Sequence, residues 1–379
     1  MPPPDPHKPN CPYLPGFGVD ISAHVAPLPF GGDYPTSSYP WRTEEWLNSV
    51  SQTKHVVTHP PLETPPPTKP RTARLIVTRS LAIGNARGAQ ILLCLITPCG
   101  EAPCREDENM APFEAVAKIY DPLYYCFSSD IGNYPCDTVL RADLDYAKEV
   151  AAYKCLTRAG QTGSFAPAYF GSWSFSLPMS YNGGTYQRSI RLVLIEYLSG
   201  ICMKDLFVKN GPYQIDATHL SEDYRLRVLA MLLDGVAKQR HVGLDQRDLA
   251  PRNVFLIPPP KLTRETTPGL TQELPQEPPQ RVVLIDYNAA TVWELTKHGK
   301  QAVQLARLPP NPMKRFWNTC FSDLVGWAPT VLSEFDARCF QEWLLHEFGG
   351  EKKVLYEPVL EELEFYEPYK EGLEAMPVE

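Results

Sequence analysis

No apolar run in this 379-residue chain approaches the roughly 18 residues needed to span a bilayer. The longest, residues 91–96, has the length of a strand, so no membrane partner is expected. No cluster of Lys and Arg offsets a net charge of -8 and a pI near 5.6, which excludes general nucleic-acid binding. The start has neither a basic n-region nor an apolar h-region, so no signal peptide is expected, and a cytoplasmic setting follows, with the nucleus also compatible. Ten cysteines without a secretory signal read as reduced thiols. Cys94, Cys99 and Cys104 are evenly spaced but form no Cys-x-x-Cys pair and have no fourth ligand nearby, so no zinc site is expected.

Proline, by contrast, is abundant: 40 in all, 17 of them within residues 1–70. Fixed φ angles and missing amide donors exclude long regular structure there. Residues 1–70 read as a flexible leader with one helical island over 41–49, where Thr43 caps a turn containing Glu44 and Glu45. A second stretch, residues 258–280, holds seven prolines and reads as a surface insert; residues 351–379 read as an acidic tail. Both proline-rich segments offer docking to a protein partner.

From Thr72 the texture changes to branched and apolar residues. Residues 73–78 and 89–97 read as strands flanking a turn with Gly84 and Gly88, whose backbone N–H groups would lie over nucleotide phosphates. Residues 113–120, Phe-Glu-Ala-Val-Ala-Lys-Ile-Tyr, place Lys118 inside a strand, where a buried ammonium needs an anion. A lysine snorkelling to solvent is the plain alternative. Residues 141–156 contain no Gly or Pro and carry apolar residues at helical spacing, with Glu149 in the more apolar half and Asp145 as a second acid. Residues 191–198 form an apolar strand ending in Glu196, Tyr197 and Leu198. Leu226, Leu229, Ala230, Leu233, Val236 and Ala237 make a helical stripe that runs into His241.

After that stripe comes Gln246-Arg247-Asp248, then four residues, then Asn253 and an apolar run to Ile257. Pro251 disfavours helix at Ala250 and stiffens the loop. Residues 282–286 form a second apolar strand ending in Asp286, followed by Tyr287 and Asn288. An acid and an amide on one rigid loop suit phosphoryl transfer: the acid orients a hydroxyl and the amide oxygen ligates magnesium.

This series resembles the protein-kinase superfamily, including its fungal kinase-like and aminoglycoside–choline phosphotransferase-like branches. The loop resembles His-Arg-Asp-x-x-x-x-Asn, with Gln246 in place of the histidine, and Asp286 resembles the metal-binding acid of the Asp-Phe-Gly motif. The resemblance implies an α+β fold of two lobes: a small β-rich N-lobe over residues 71–197 and a mostly helical, shortened C-lobe over residues 198–350. It further implies that Lys118, steadied by Glu149, holds the phosphates of ATP, and that Glu196 and Leu198 meet the adenine edge over Ile195. Asn253 and Asp286 would then ligate Mg²⁺, with Asp248 as the catalytic residue that orients the acceptor hydroxyl. The implied activity is transfer of the γ-phosphate to a hydroxyl acceptor, protein or small molecule. The alternative is a catalytically weak pseudokinase serving as a nucleotide- or partner-binding scaffold, favoured by the sparse glycines, Gln246 and Asn288.

Overall fold

The computed structural model describes residues 2–36, 42–85, 87–99, 111–128, 134–209, 215–260, 277–299, 307–319, 324, 326–327, 337–360 and 362–365. Most of the 258–280 insert and of the 351–379 tail lies outside these residues, as does Cys104. The chain divides into two compact units, Met1–Leu198 with Asp286–Val303, and Ser199–Ile285 with Gln304–Glu379. Among the described residues no helix is long and apolar enough to cross a membrane.

In the first unit, β1 (Gly18–Ala23) precedes two short helices, α1 (Glu44–Ser49) and α2 (Gln52–Thr58). Then come β2 (Thr72–Ala82), β3 (Gln90–Cys99), β4 (Phe113–Tyr120), helix α3 (Thr138–Arg158), β5 (Tyr169–Tyr181) and β6 (Gly184–Glu196). All six strands pair antiparallel and close into a barrel in the order β1-β2-β3-β4-β6-β5.

Period-two burial explains the lumen. Leu75 and Val77 of β2, Leu92 and Cys94 of β3, Ala117 and Ile119 of β4, and Leu192 and Leu194 of β6 are all fully buried on one face. A barrel this small is filled by its own side chains. The outward face of β4 is set by the same alternation: Val116, Lys118 and Tyr120 point away from the lumen and are nonetheless buried. Around Tyr120, the side chains of Ala142, Tyr146 and Val150 from α3 and Val193 from β6 form a second cluster.

The expected two-lobed protein-kinase-like architecture is not what the chain forms. Instead of a small β-rich lobe beside a mostly helical one, it builds a closed antiparallel barrel, with six α-helices among the described residues. The physical cause lies in two segments. Residues 18–23 of the proline-rich leader pair with β2 on one side and β5 on the other, from Gly18↔Ile76 to Ala23↔Trp173. Their Ile21 side chain is fully buried in the core. The long β5–β6 hairpin supplies the other closing strand, through an Asn182-Gly183 turn whose two residues both adopt positive φ, 47° and 78°. That is the turn whose twist suits a tight hairpin. A sheet closed this way has no exposed edge.

In the second unit, strands Ile201–Cys202, Val254–Ile257 and Arg281–Leu284 form a three-stranded sheet. Helix α4 (Glu222–His241) is capped by Ser221. The expected stripe is half of its buried face: Leu229, Leu233 and Ala237 are buried, but Tyr224, Val228 and Leu232 extend the contact to a wider arc than Leu226 and Val236 do. Further helices run over Pro312–Phe316 and Ala337–Gly349.

Candidate functional site

Strand β4 and helix α3 bring the first set of candidates together. The ammonium of Lys118, 7% exposed, donates to Glu149 Oε2 and to Asp286 Oδ1, the latter at 2.5 Å. Burial alone would push the Lys118 pKa down, but the carboxylates of Asp286 and Glu149 outweigh it and hold the value above the ordinary lysine range. Lys118 is therefore a charged cation between two carboxylates of unequal access. Glu149 is fully buried, whereas the Asp286 side chain is 34% exposed.

Asp286 adopts φ 63°, a left-handed conformation that costs a non-glycine residue roughly 1–3 kcal/mol and persists where surrounding structure imposes it. Its neighbour Tyr287 is fully buried and packs edge-on against Tyr153 of α3, centroids 5.3 Å apart. Tyr153 in turn stacks on Tyr169 at 5.1 Å, with planes 5° apart. An aromatic wall thus anchors the residue beside the strained acid.

Several contributors were not singled out from sequence. Tyr120 donates to Glu149 Oε2 at 2.5 Å, so one carboxylate oxygen takes two donors. Glu149 Oε1 and the Tyr153 hydroxyl are buried with no hydrogen-bond partner among the described residues. Spacing carried the signal: Tyr120 lies two residues beyond Lys118 on the same strand face, and Tyr153 four beyond Glu149 on the helix. Asp145, the second acid of α3, accepts from Tyr125 Oη at 3.2 Å, and burial pushes its pKa up to about 6.

The turn with Gly84 and Gly88 closes on itself. Buried Gln90 accepts from Gly84 N–H at 2.8 Å and donates to the carbonyls of Gly84 and Gly88 at 3.1 and 3.2 Å. The Gly84 amide expected to face a phosphate is thereby spent within the protein, although its φ of 139° does use the freedom of glycine. At the end of β6, the Glu196 N–H donates to Ala168 O and its Oε2 accepts from Ala168 N–H, both at 2.9 Å. That backbone donor is likewise engaged, and Leu198 beyond it is buried.

In the second unit, Asp248 and Asn253 face each other within one loop. Asn253 Nδ2 donates to the Asp248 carbonyl at 2.9 Å and to its Oδ2 at 2.7 Å, and Arg252 Nη2 donates to Oδ1 at 2.5 Å. Gln246, which replaces the resembled histidine, uses both ends of its amide: Oε1 accepts from Asp248 N–H at 2.8 Å and Nε2 donates to Ile285 O at 3.1 Å. Arg247 between them adopts φ 68°. With its nitrogen committed to Asp248, Asn253 presents its amide oxygen as the remaining acceptor. Carboxylate and amide oxygens are the hard donors magnesium prefers, and it commonly takes only one or two protein carboxylates. Among the described residues no three His, Cys, Asp or Glu side chains cluster as a metal-binding group.

No protein-family model matches the chain, and no curated protein matches it significantly.

Proposed function

We propose that the chain is an ATP- and magnesium-dependent phosphotransferase that moves the γ-phosphate to a hydroxyl acceptor. The observation that carries this reading is a buried lysine shared by two carboxylates, one of them strained and open to solvent. A purely structural ion pair needs one carboxylate. The second, Asp286, has the access a metal ligand requires, and phosphate oxygens would give the lysine an anionic partner if Asp286 held a metal instead. Magnesium-bound ATP supplies a leaving group with its charge neutralised. Lys118 binds and orients phosphate oxygens, Glu149 and Tyr120 fix Lys118, and Asp286 carries an oxygen donor for the metal. Within the second unit, the Asp248 carboxylate, 29% exposed, is suited to accept a hydroxyl proton, beside the amide oxygen of Asn253. A fold hosts chemistry without dictating it, and the chemistry here lies in the side chains of the site.

One observation favours a second reading, a scaffold of weak activity: the Gly84 amide is turned inward onto Gln90. A thermal-shift titration separates the two. A ligand at about 100 times its Kd stabilises by roughly 2.7 kcal/mol. For ATP with Mg²⁺ that corresponds to a rise of about 5–10 °C, at roughly 2–4 °C per kcal/mol. The rise should vanish without Mg²⁺ and in Asp286→Ala. No shift at saturating ATP would overturn the nucleotide-dependent reading. A shift without ADP release toward any hydroxyl acceptor would favour the scaffold.

A further inference from the structure

We propose that a groove along α3, separate from the Lys118 site, binds a small apolar monoanion, an alkyl carboxylate. Its volume of about 450 Å³ lies in the range of small-molecule sites, roughly 300–1,000 Å³. Val150 and Ala151 of α3 and the Tyr169 ring line it on one side. Residues 26–29, Ala-Pro-Leu-Pro, line it on the other. Pro27 and Pro29 have no amide donor, so this wall offers little to a polar ligand. Leu28, 75% exposed, leaves a large apolar side chain in water at the rim.

The charges around the groove do not cancel. At one end Arg158 pairs with Glu294, and that pair is neutral. Lys154, one turn from both Val150 and Arg158, makes no ion pair among the described residues. The hydroxyl of Thr157 is spent on the Tyr153 carbonyl at 2.7 Å. One cation with no ion-pair partner among the described residues, over a trough whose other polar side chains are the Arg158–Glu294 pair, the engaged Thr157 hydroxyl and the buried Tyr169 hydroxyl, favours one negative head and a hydrocarbon body. A neutral apolar ligand gains only the trough. A polyanion gains no second cation.

The test uses the full chain with octanoate as probe and octan-1-ol as its uncharged counterpart, read by calorimetry. Lys154 is exposed, so Lys154→Met keeps its stem and is not expected to disturb folding. Octanoate should bind saturably and more tightly than octan-1-ol. Lys154→Met should weaken octanoate by about tenfold, the effect of losing one charge-assisted contact, and leave octan-1-ol unchanged. Ala151→Phe, which fills the trough, should weaken both probes. Equal affinity for the two probes, undiminished octanoate binding in Lys154→Met, or no saturable binding at all would overturn the proposal. Should Lys154→Met melt abnormally, Lys154→Gln serves as the second variant with the same two outcomes.

Discussion

Replacing Tyr120 by Phe removes one hydroxyl and nothing else from the Lys118 site. The ring stays packed edge-on against Tyr146, centroids 5.4 Å apart, so no cavity opens. What is lost is the 2.5 Å hydrogen bond to Glu149 Oε2. Hydrogen bonds to charged acceptors contribute about 1.5–3 kcal/mol, and the lower end applies because Lys118 still donates to the same oxygen. At roughly 2–4 °C per kcal/mol, a loss of about 1.5 kcal/mol lowers Tm by about 3–6 °C. Differential scanning calorimetry of the variant measures it directly. The matched control is Tyr153→Phe, whose hydroxyl is buried without a partner among the described residues and whose removal should be neutral or slightly stabilising. If the two variants melt alike, Glu149 is not held in the way described, and the placement of Lys118 falls with it.

Lys118→Met leaves Glu149 buried beside Asp286 without its cation and should cost about 3–5 kcal/mol in urea unfolding. The variant should recover stability as pH falls, because its buried carboxyl then has a folded-state pKa above the unfolded one and takes up a proton on folding. For Asp145 the folded pKa of about 6 exceeds the ordinary carboxyl value, so its contribution is fully present below the unfolded pKa and is lost as pH rises toward 6. Asp145→Asn should flatten the stability profile in that window, read by urea titrations at several pH values. Ile21→Ala, in the strand that closes the barrel, should cost about 2–5 kcal/mol, as buried aliphatic truncations do, whereas a flexible leader would tolerate it without change.

Much of the first unit was legible because its signals are local. Lys118 among small apolar residues, Glu149 in a helix without breakers and Asp286 at the end of an apolar strand all follow from periodicity, and the structure brings these three side chains into contact. The barrel was not legible. Residues 18–23 sit among prolines, and pairing with β2 and β5 across long sequence separations decides their state, not propensity. The β5 strand carries Gly171 and Pro178, which weaken its pattern, although the Asn182-Gly183 turn beyond it is a hairpin signal in its own right. Tyr120 and Gln90 were overlooked for a different reason: a side chain that braces another through one hydrogen bond leaves no motif, only a spacing.

The central claim is that Lys118 and Asp286 serve a magnesium-bound triphosphate. Its most direct measurement is isothermal titration of the full chain with ATP in the presence and absence of Mg²⁺, repeated with Lys118→Met and Asp286→Asn. The account predicts binding that Mg²⁺ tightens by about tenfold or more, that Lys118→Met abolishes, and that loses its Mg²⁺ dependence in Asp286→Asn. Binding of ATP that is indifferent to Mg²⁺ and unchanged in both variants would contradict it.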